Sequence, residues 1–190
     1  MIFKPMSVQL KDGRIAMLRN AEPEDAQELI DYLKITSAET PFLLRNPEEV
    51  HITLEQEIEF INSRKESEQG LLLIARIDDE FAGNAACMPL GTFQRHAHRC
   101  SVAIALYQKY CGLGLGKIML NAVLQESEKA GYEQAELSVV TSNEKAIALY
   151  KSLGFDTYGT QKHSMKYKDG SYADEYLMMK MLGNRQEGWR

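Results

Sequence analysis

Apolar residues shift along the chain from every second position to every third or fourth and back again, and those shifts mark the elements. Residues 14–19 read as a strand entered through the turn pair Asp12-Gly13. Pro23 suits a first helical turn, and Glu22, Glu24 and Asp25 favour the positive end of a helix dipole. Ala26, Leu29, Ile30 and Leu33 then recur at helical spacing. Thr53 and Gln56 form a capping box, opening a helix with Leu54, Ile58 and Ile61 on one stripe. Residues 71–77 and 81–89 pattern as a hairpin around Asp78-Asp79-Glu80. A strand at 97–106, a helix at 114–130 with Gly131 as its C-cap, and a short strand at 135–140 follow. Thr141 and Glu144 read as a second capping box, opening a helix that ends at Gly154. Two closing strands, 156–165 and 174–182, are joined through Asp169-Gly170.

The order βααβββαβαββ is neither a run of strict βαβ repeats nor an antiparallel meander. It predicts an α/β (α+β) fold with a mixed central sheet of about seven strands and helices on both faces. No internal repeat or Pro/Gly/Ser-rich linker divides the chain. Residues 1–182 are expected to form one domain, and the polar segment 183–190 a frayed tail. The 190 residues are 44% hydrophobic and 26% charged, enough for a buried core. A net charge of −5 weighs against a nucleic-acid partner. No apolar run reaches the roughly 18 residues of a membrane span. Cys87, Cys100 and Cys111 are odd in number and lack metal-ligand spacing, so reduced thiols, no metal and a cytoplasmic location are expected.

The most informative segment is Gln108-Lys109-Tyr110-Cys111-Gly112-Leu113-Gly114-Leu115-Gly116-Lys117, between a predicted strand and a predicted helix. Glycine lets the backbone approach a ligand, and the first helical turn offers free N–H groups and a positive dipole end. Together these describe an anion site. A P-loop would require Gly at position 111 and Ser or Thr at 118, where the chain has Cys111 and Ile118. A dinucleotide fingerprint would require Gly-x-Gly-x-x-Gly early in the chain; here the spacing is Gly-x-Gly-x-Gly and it comes late.

Residues 104–120, IALYQKYCGLGLGKIML, resemble the acetyl-CoA motif of the GNAT N-acetyltransferases. The family pattern Gln/Arg-x-x-Gly-x-Gly/Ala falls on Cys111, Gly114 and Gly116, with Cys111 in place of the usual Gln or Arg. Asn143, Ala146, Tyr150, Gly154 and Phe155 resemble the family's Asn-x-x-Ala-x-x-x-Tyr-x-x-x-Gly-Phe segment without a gap. The resemblance covers residues 14–182. It implies that the strand at 97–106 carries a bulge and splays from that at 135–140, with the pantetheine arm in the opening. Backbone groups near Ile104 and Leu106 would then bond the pantetheine amides. Backbone N–H groups of Cys111, Gly112, Leu113, Gly114, Leu115, Gly116 and Lys117 would hold the pyrophosphate, and Asn143 would contact the cofactor arm.

The implied reaction is acetyl transfer from acetyl-CoA to a primary amine, by direct attack through a tetrahedral intermediate. Tyr150 is the expected general acid, beside the cofactor thiol; a phenol of pKa about 10 stays protonated and can donate to a thiolate of pKa about 8.5. A glutamate carried by many related sequences aligns with Ser101, which cannot act as that base. His98, sharing a face with His96 on the predicted strand, is the candidate general base. Glu57, on the second helix, ranks behind it as a candidate base, since a carboxylate there usually lies on a solvated face. At about pH 7.5 an α-amine is roughly one-third free base and a lysine only about 0.1%. A site without a strong base therefore favours a small-molecule or peptide α-amine. The departures at Cys111 and Ser101 keep a non-catalytic acyl-CoA-binding module as the alternative, and a longer acyl donor as another. In the family, the region at 34–51, with Glu39, Phe42 and Arg45, shapes the acceptor pocket, and homodimers are common. Lys117, Lys109 and Arg99 are candidates to meet cofactor phosphates, Cys111 is placed where a helix N-terminus can lower a thiol pKa, and Met178, Met179 and Met181 are expected in the core.

Overall fold

The computed structural model describes residues 1–183; of the tail expected at 183–190, all but Gly183 lies outside the described residues. The strands are β1 (Met6–Gln9), β2 (Ile15–Asn20), β3 (Leu71–Ile77), β4 (Glu80–Pro89), β5 (Arg99–Leu106), β6 (Gln134–Val140), β7 (Asp156–Lys166) and β8 (Tyr172–Met181). The helices are α1 (Ala26–Glu39), α2 (Leu54–Glu66), α3 (Leu115–Lys129) and α4 (Glu144–Ser152). The strands form one sheet in the order β1-β2-β3-β4-β5-β6-β8-β7. Among its pairs, β5–β6 is parallel and the others antiparallel.

Layering follows from alternation along the strands. Leu71, Leu73, Ala75 and Ile77 of β3 enter the cluster built with Leu115, Met119 and Val123 of α3 and Tyr150 of α4. Leu72 and Ile74 point the other way, against Leu29 and Tyr32 of α1 and Ile61 of α2. A strand covered on both faces has to be apolar throughout, which explains the unbroken Leu-Leu-Leu-Ile-Ala run.

The expected mixed sheet with helices on both faces is observed, with eight strands among the described residues instead of about seven. Patterning does not predict β1, because Met6–Gln9 is four residues long and largely exposed. Its signal lay in the Asp12-Gly13 pair, since a hairpin turn implies a strand on each side. The box at Thr53 and Gln56 forms as expected, each side chain meeting the other's backbone N–H. The one expected at Thr141 does not. Asn143 caps α4 instead, its Oδ1 accepting from Ala146 N at 3.2 Å. The hairpin at 78–80 turns through Asp78 and Asp79 at φ 51° and 62°. Met178 is fully buried, whereas Met179 and Met181 lie half-buried on the opposite face, so the alternation puts one of the three methionines in the core.

Candidate active site

β5 and β6 share three rungs, Arg99–Gln134, Cys100–Ala135 and Ser101–Glu136, and then part. On the other side β5 stays paired with β4 up to Leu106. Ladder alternation tells which backbone groups face the opening. Tyr107 N donates to Ala82 O at 3.0 Å and Leu90 N to Arg99 O at 3.2 Å, so odd-numbered residues bond toward β4. His98 O accepts from Glu133 N at 2.8 Å, so even-numbered residues face β6. Beyond the last rung, Val102, Ile104 and Leu106 therefore direct backbone N–H and C=O groups into the gap. The expected splay is thus observed. The expected bulge is not on β5, whose register with β4 is unbroken. It lies one pair away, where Arg76–Phe81 gives way to Ala75–Gly83 and Ala82 is left between. β4 bends there because Gly83 sits under β5: a Cβ on it would lie 2.5 Å from Ala105 O and 2.8 Å from Leu106 Cα.

At its C-terminal end β5 leads into the glycine loop. Gly112 and Gly114 take φ of +82° and +89°, and α3 starts at Leu115 with Gly114 as N-cap. The N–H groups of residues 112–117 have no hydrogen-bond partner among the described residues, which makes a nest at a helix N-terminus. Cys111 differs: its N–H is taken by Gln108 O at 3.0 Å. Its thiol pKa is raised, first by desolvation, and Cys111 precedes the helix instead of lying at its first turn. The loop is braced from two sides. Lys11 N, in the β1–β2 turn, donates to Leu113 O at 3.2 Å, and Gln108 N donates to Glu39 Oε2 at 2.9 Å. A Cβ on Gly116 would lie 3.5–3.7 Å from the side chains of Leu149, Leu106 and Ile104, where α3, α4 and the edge of the gap come together.

A single row crosses the sheet at the closed end of the gap: Met88, Ser101, Glu136, Met179 and Asp156. Tyr150 belongs to this level, since its carbonyl accepts from Phe155 N, next to Asp156, at 3.1 Å. Its ring packs edge-on against Phe155 at 6.0 Å, on the α3 side of the sheet. Burial pushes its phenol up to about 12, and its hydroxyl has no partner among the described residues. Glu136 points to the other side, since its neighbours Ala135 and Leu137 enter the α3 cluster. It is only 8% exposed. Arg99 grips it with both Nε and Nη2, the latter at 2.7 Å from Oε2. Gln134 Nε2 adds a bond at 2.8 Å and Tyr158 OH one at 3.5 Å. On the same side of the sheet as Glu136, the β7–β8 hairpin reaches the α1–α2 connection, with Tyr167 OH on Pro41 O at 3.2 Å and Lys168 paired with Glu48.

Several expected site residues stand elsewhere. His96 and His98 precede β5 in a turn, so strand alternation does not align them. Glu57 is not on a solvated face. It is 5% exposed, beneath the α1–α2 connection, and its pKa is raised by desolvation with Arg45 opposing. Arg99 is committed to Glu136 and Lys109 to Glu80, while Lys117 is exposed on α3. Asn143 spends its Oδ1 on its own helix. Glu136 was missed by motif. Its signal is a lone carboxylate inside a six-residue apolar strand pattern.

The sequence model of the Acetyltransferase (GNAT) family matches residues 30–155. An N-alpha-acetyltransferase of Sulfurisphaera tokodaii is 29% identical over 172 residues, 90% of this chain and 95% of that protein. A GNAT-family acetyltransferase from Streptococcus pneumoniae superposes with a TM-score of 0.84 at 28% identity, covering 88% of this chain and 99% of that one. A Sinorhizobium meliloti phosphinothricin acetyltransferase, solved in complex with acetyl-CoA, gives 0.77 at 18% identity, over 88% and 89% of the two chains. The Mycobacterium leprae protein ML0378 is 37% identical over 107 residues, 55% of this chain, which spans 27% of that protein's length. The parting strands, the glycine nest and these matches agree: the chain belongs to the GNAT acetyltransferase family.

Proposed function

We propose that the protein is an acetyl-CoA-dependent N-acetyltransferase whose acceptor is an α-amine of a small molecule or peptide. The observation that carries this is the end of β5–β6 pairing at Ser101–Glu136, which leaves strand backbone facing a gap that runs to the glycine nest. From Ser101 to Leu106 the strand rises about 17 Å. That length suits an extended pantetheine arm, with its amides on Ile104 and Leu106 and its pyrophosphate on the N–H groups of residues 112–117. The thioester would then meet the Ser101–Glu136 rung, with Tyr150 on the α3 side of the sheet.

Bound there, acetyl-CoA supplies an activated acetyl group; the rest is done by side chains. The acceptor nitrogen attacks the carbonyl carbon, the C–S bond breaks, and Tyr150 gives its proton to the departing sulfur. Its raised pKa keeps that proton in place at neutral pH. The nitrogen loses its own proton to solvent: Ser101 offers only a hydroxyl, and Glu136 spends its oxygens on Arg99, Gln134 and Tyr158. The name of the Sulfurisphaera tokodaii relative, an N-alpha-acetyltransferase, supports an α-amine.

The test is thermal unfolding with acetyl-CoA, against ATP and NAD as controls. At 100 times Kd a ligand adds about 2.7 kcal/mol. At about 2–4 °C per kcal/mol, Tm should rise by roughly 5–11 °C with acetyl-CoA alone. No rise at millimolar ligand would overturn the reading. An amine panel then tests turnover, and binding without turnover on any amine would favour the non-catalytic module.

A further inference from the structure

Between Glu80 and Glu126 the chain contains no aspartate or glutamate, although 27 acidic residues give it a net charge of −5. The basic residues of that stretch fall in two places. Lys109 and Lys117 flank the glycine loop. Arg95, His96, His98 and Arg99 crowd the approach to β5, at the opposite end of the gap. Cofactor phosphates held on residues 112–117 cannot reach this second group, since the strand between them spans about 17 Å. It lies beyond the level proposed for the thioester.

Arg99 is the member of this group with a defined geometry. A guanidinium carries five N–H donors, and a carboxylate offers about four acceptor sites. Glu136 receives two bonds from Arg99, one from Gln134 and one from Tyr158, so its capacity is filled. It is thereby a poor anchor for an ammonium group. Arg99 keeps donors to spare, because Nη1 has no partner among the described residues and the side chain is 30% exposed. Glu136 is the carboxylate that its side chain bonds. Around it stand Met88 and Tyr158, both exposed. The pair thus presents a fixed guanidinium edge at the closed end of the gap, on the face opposite Tyr150.

Resting on the acetyltransferase reading above, we infer that Arg99, oriented by Glu136, anchors an anionic group of the acceptor, so that the substrate is an amine bearing a nearby carboxylate. Arg95 extends the cationic rim. Two sources share this chemistry: a free amino acid, through its α-carboxylate, and a peptide whose second residue is acidic.

The experiment compares kcat/KM with acetyl-CoA for matched pairs. One arm sets α-amino acids against their amides, with kcat/KM referred to the concentration of free-base amine because the free amino acid is the more basic member; the other sets dipeptide amides with Asp or Glu second against those with Asn or Gln. A charge-assisted contact predicts a preference of about 10- to 100-fold for the carboxylate member in one arm, and the arm names the source. Arg99→Gln/Glu136→Gln, which removes both charges together and avoids an orphaned buried carboxylate, should collapse that ratio while Tm stays within a few degrees. Arg95→Gln should reduce it a few-fold. A ratio near one in both arms, or one that survives in the double variant, overturns the inference. Calorimetric titration with N-acetylated amino acids and their amides gives a reading independent of turnover, and equal affinities there also overturn it. Failure of acetyl-CoA to raise Tm counts against the acetyltransferase reading alone.

Discussion

Ser101 and Glu136 face each other on the last rung that β5 and β6 share. The hydroxyl is not a base, and the carboxylate is held on all sides by Arg99, Gln134 and Tyr158. On the proposed reading, in which solvent takes the amine's proton, the acceptor arrives as free amine. The expected kcat/KM therefore rises tenfold per pH unit up to the acceptor's own pKa and then levels. An α-amine at about 7.8 and a lysine at about 10.4 should differ by roughly 3.5 kcal/mol at neutral pH from this cause alone. Profiles for one amine of each kind check it; a shared inflection near 6–7 for both would reveal a protein base.

Tyr150→Phe removes a proton donor without changing the packing against Phe155. kcat should fall by about 100-fold or more, in the range for general acid catalysis, while the acetyl-CoA-induced rise in Tm is retained. Turnover equal to the parent's would take Tyr150 out of the mechanism.

The pH dependence of that acid has a sign. Burial raises the folded-state value from 10.0 to about 12, because the neutral phenol tolerates desolvation and the phenolate does not. The proton is thus retained across the working range, and its contribution to stability is present below pH 10 and lost as pH rises through 12. kcat should show no descending limb at pH 10. A limb there, absent in Tyr150→Phe, would show an unperturbed phenol.

Gly83→Ala should weaken both fold and cofactor binding. The new methyl would meet Ala105 O and the Leu106 backbone, which cannot yield without moving the edge of the gap. A cost of about 1–3 kcal/mol is expected, with a reduced acetyl-CoA effect on Tm. Gly159→Ala is the control, since its Cβ would only touch the flexible Leu177 side chain at 3.5 Å. Equal losses from the two substitutions would argue against the close approach.

Asp25 is buried at the entry to α1 and takes both guanidinium nitrogens of Arg19, at 2.6 and 2.7 Å, and the backbone N–H of Glu22 at 2.8 Å. Its own desolvation opposes ionisation, but these bonds prevail and its pKa is lowered. Its stabilisation is therefore present above the unfolded-state pKa and lost as pH falls through the folded value. Asp25→Asn should cost about 3 kcal/mol at pH 7, a fall in Tm of roughly 6–12 °C. The difference between parent and variant should shrink in acid; a constant difference would mean that packing, not charge, is lost.

Local rules were enough for much of this protein. Period and turn chemistry place β2 to β8 and the four helices, because each signal acts within a few residues: Thr53 with Gln56, Asp78 with Asp79, Gly131 after α3. The glycine loop was legible for the same reason, since a nest is built from consecutive backbone groups. What sequence could not specify was pairing at a distance. Where β5 leaves β6 depends on which strands meet, on Gly83 passing under Leu106, and on α3 and α4 closing over Gly116. The same tertiary choice carries Arg99 to Glu136, 37 positions away, and turns two unremarkable charges into one group. It takes Glu57 out of solvent, and it begins β5 at Arg99, leaving His98 in a turn. Sequence by itself determined the elements and the family's cofactor loop, through short-range sterics and hydrogen bonding. Only the folded sheet decided which side chains share the closed end of the gap, because that depends on strand register summed over the whole domain.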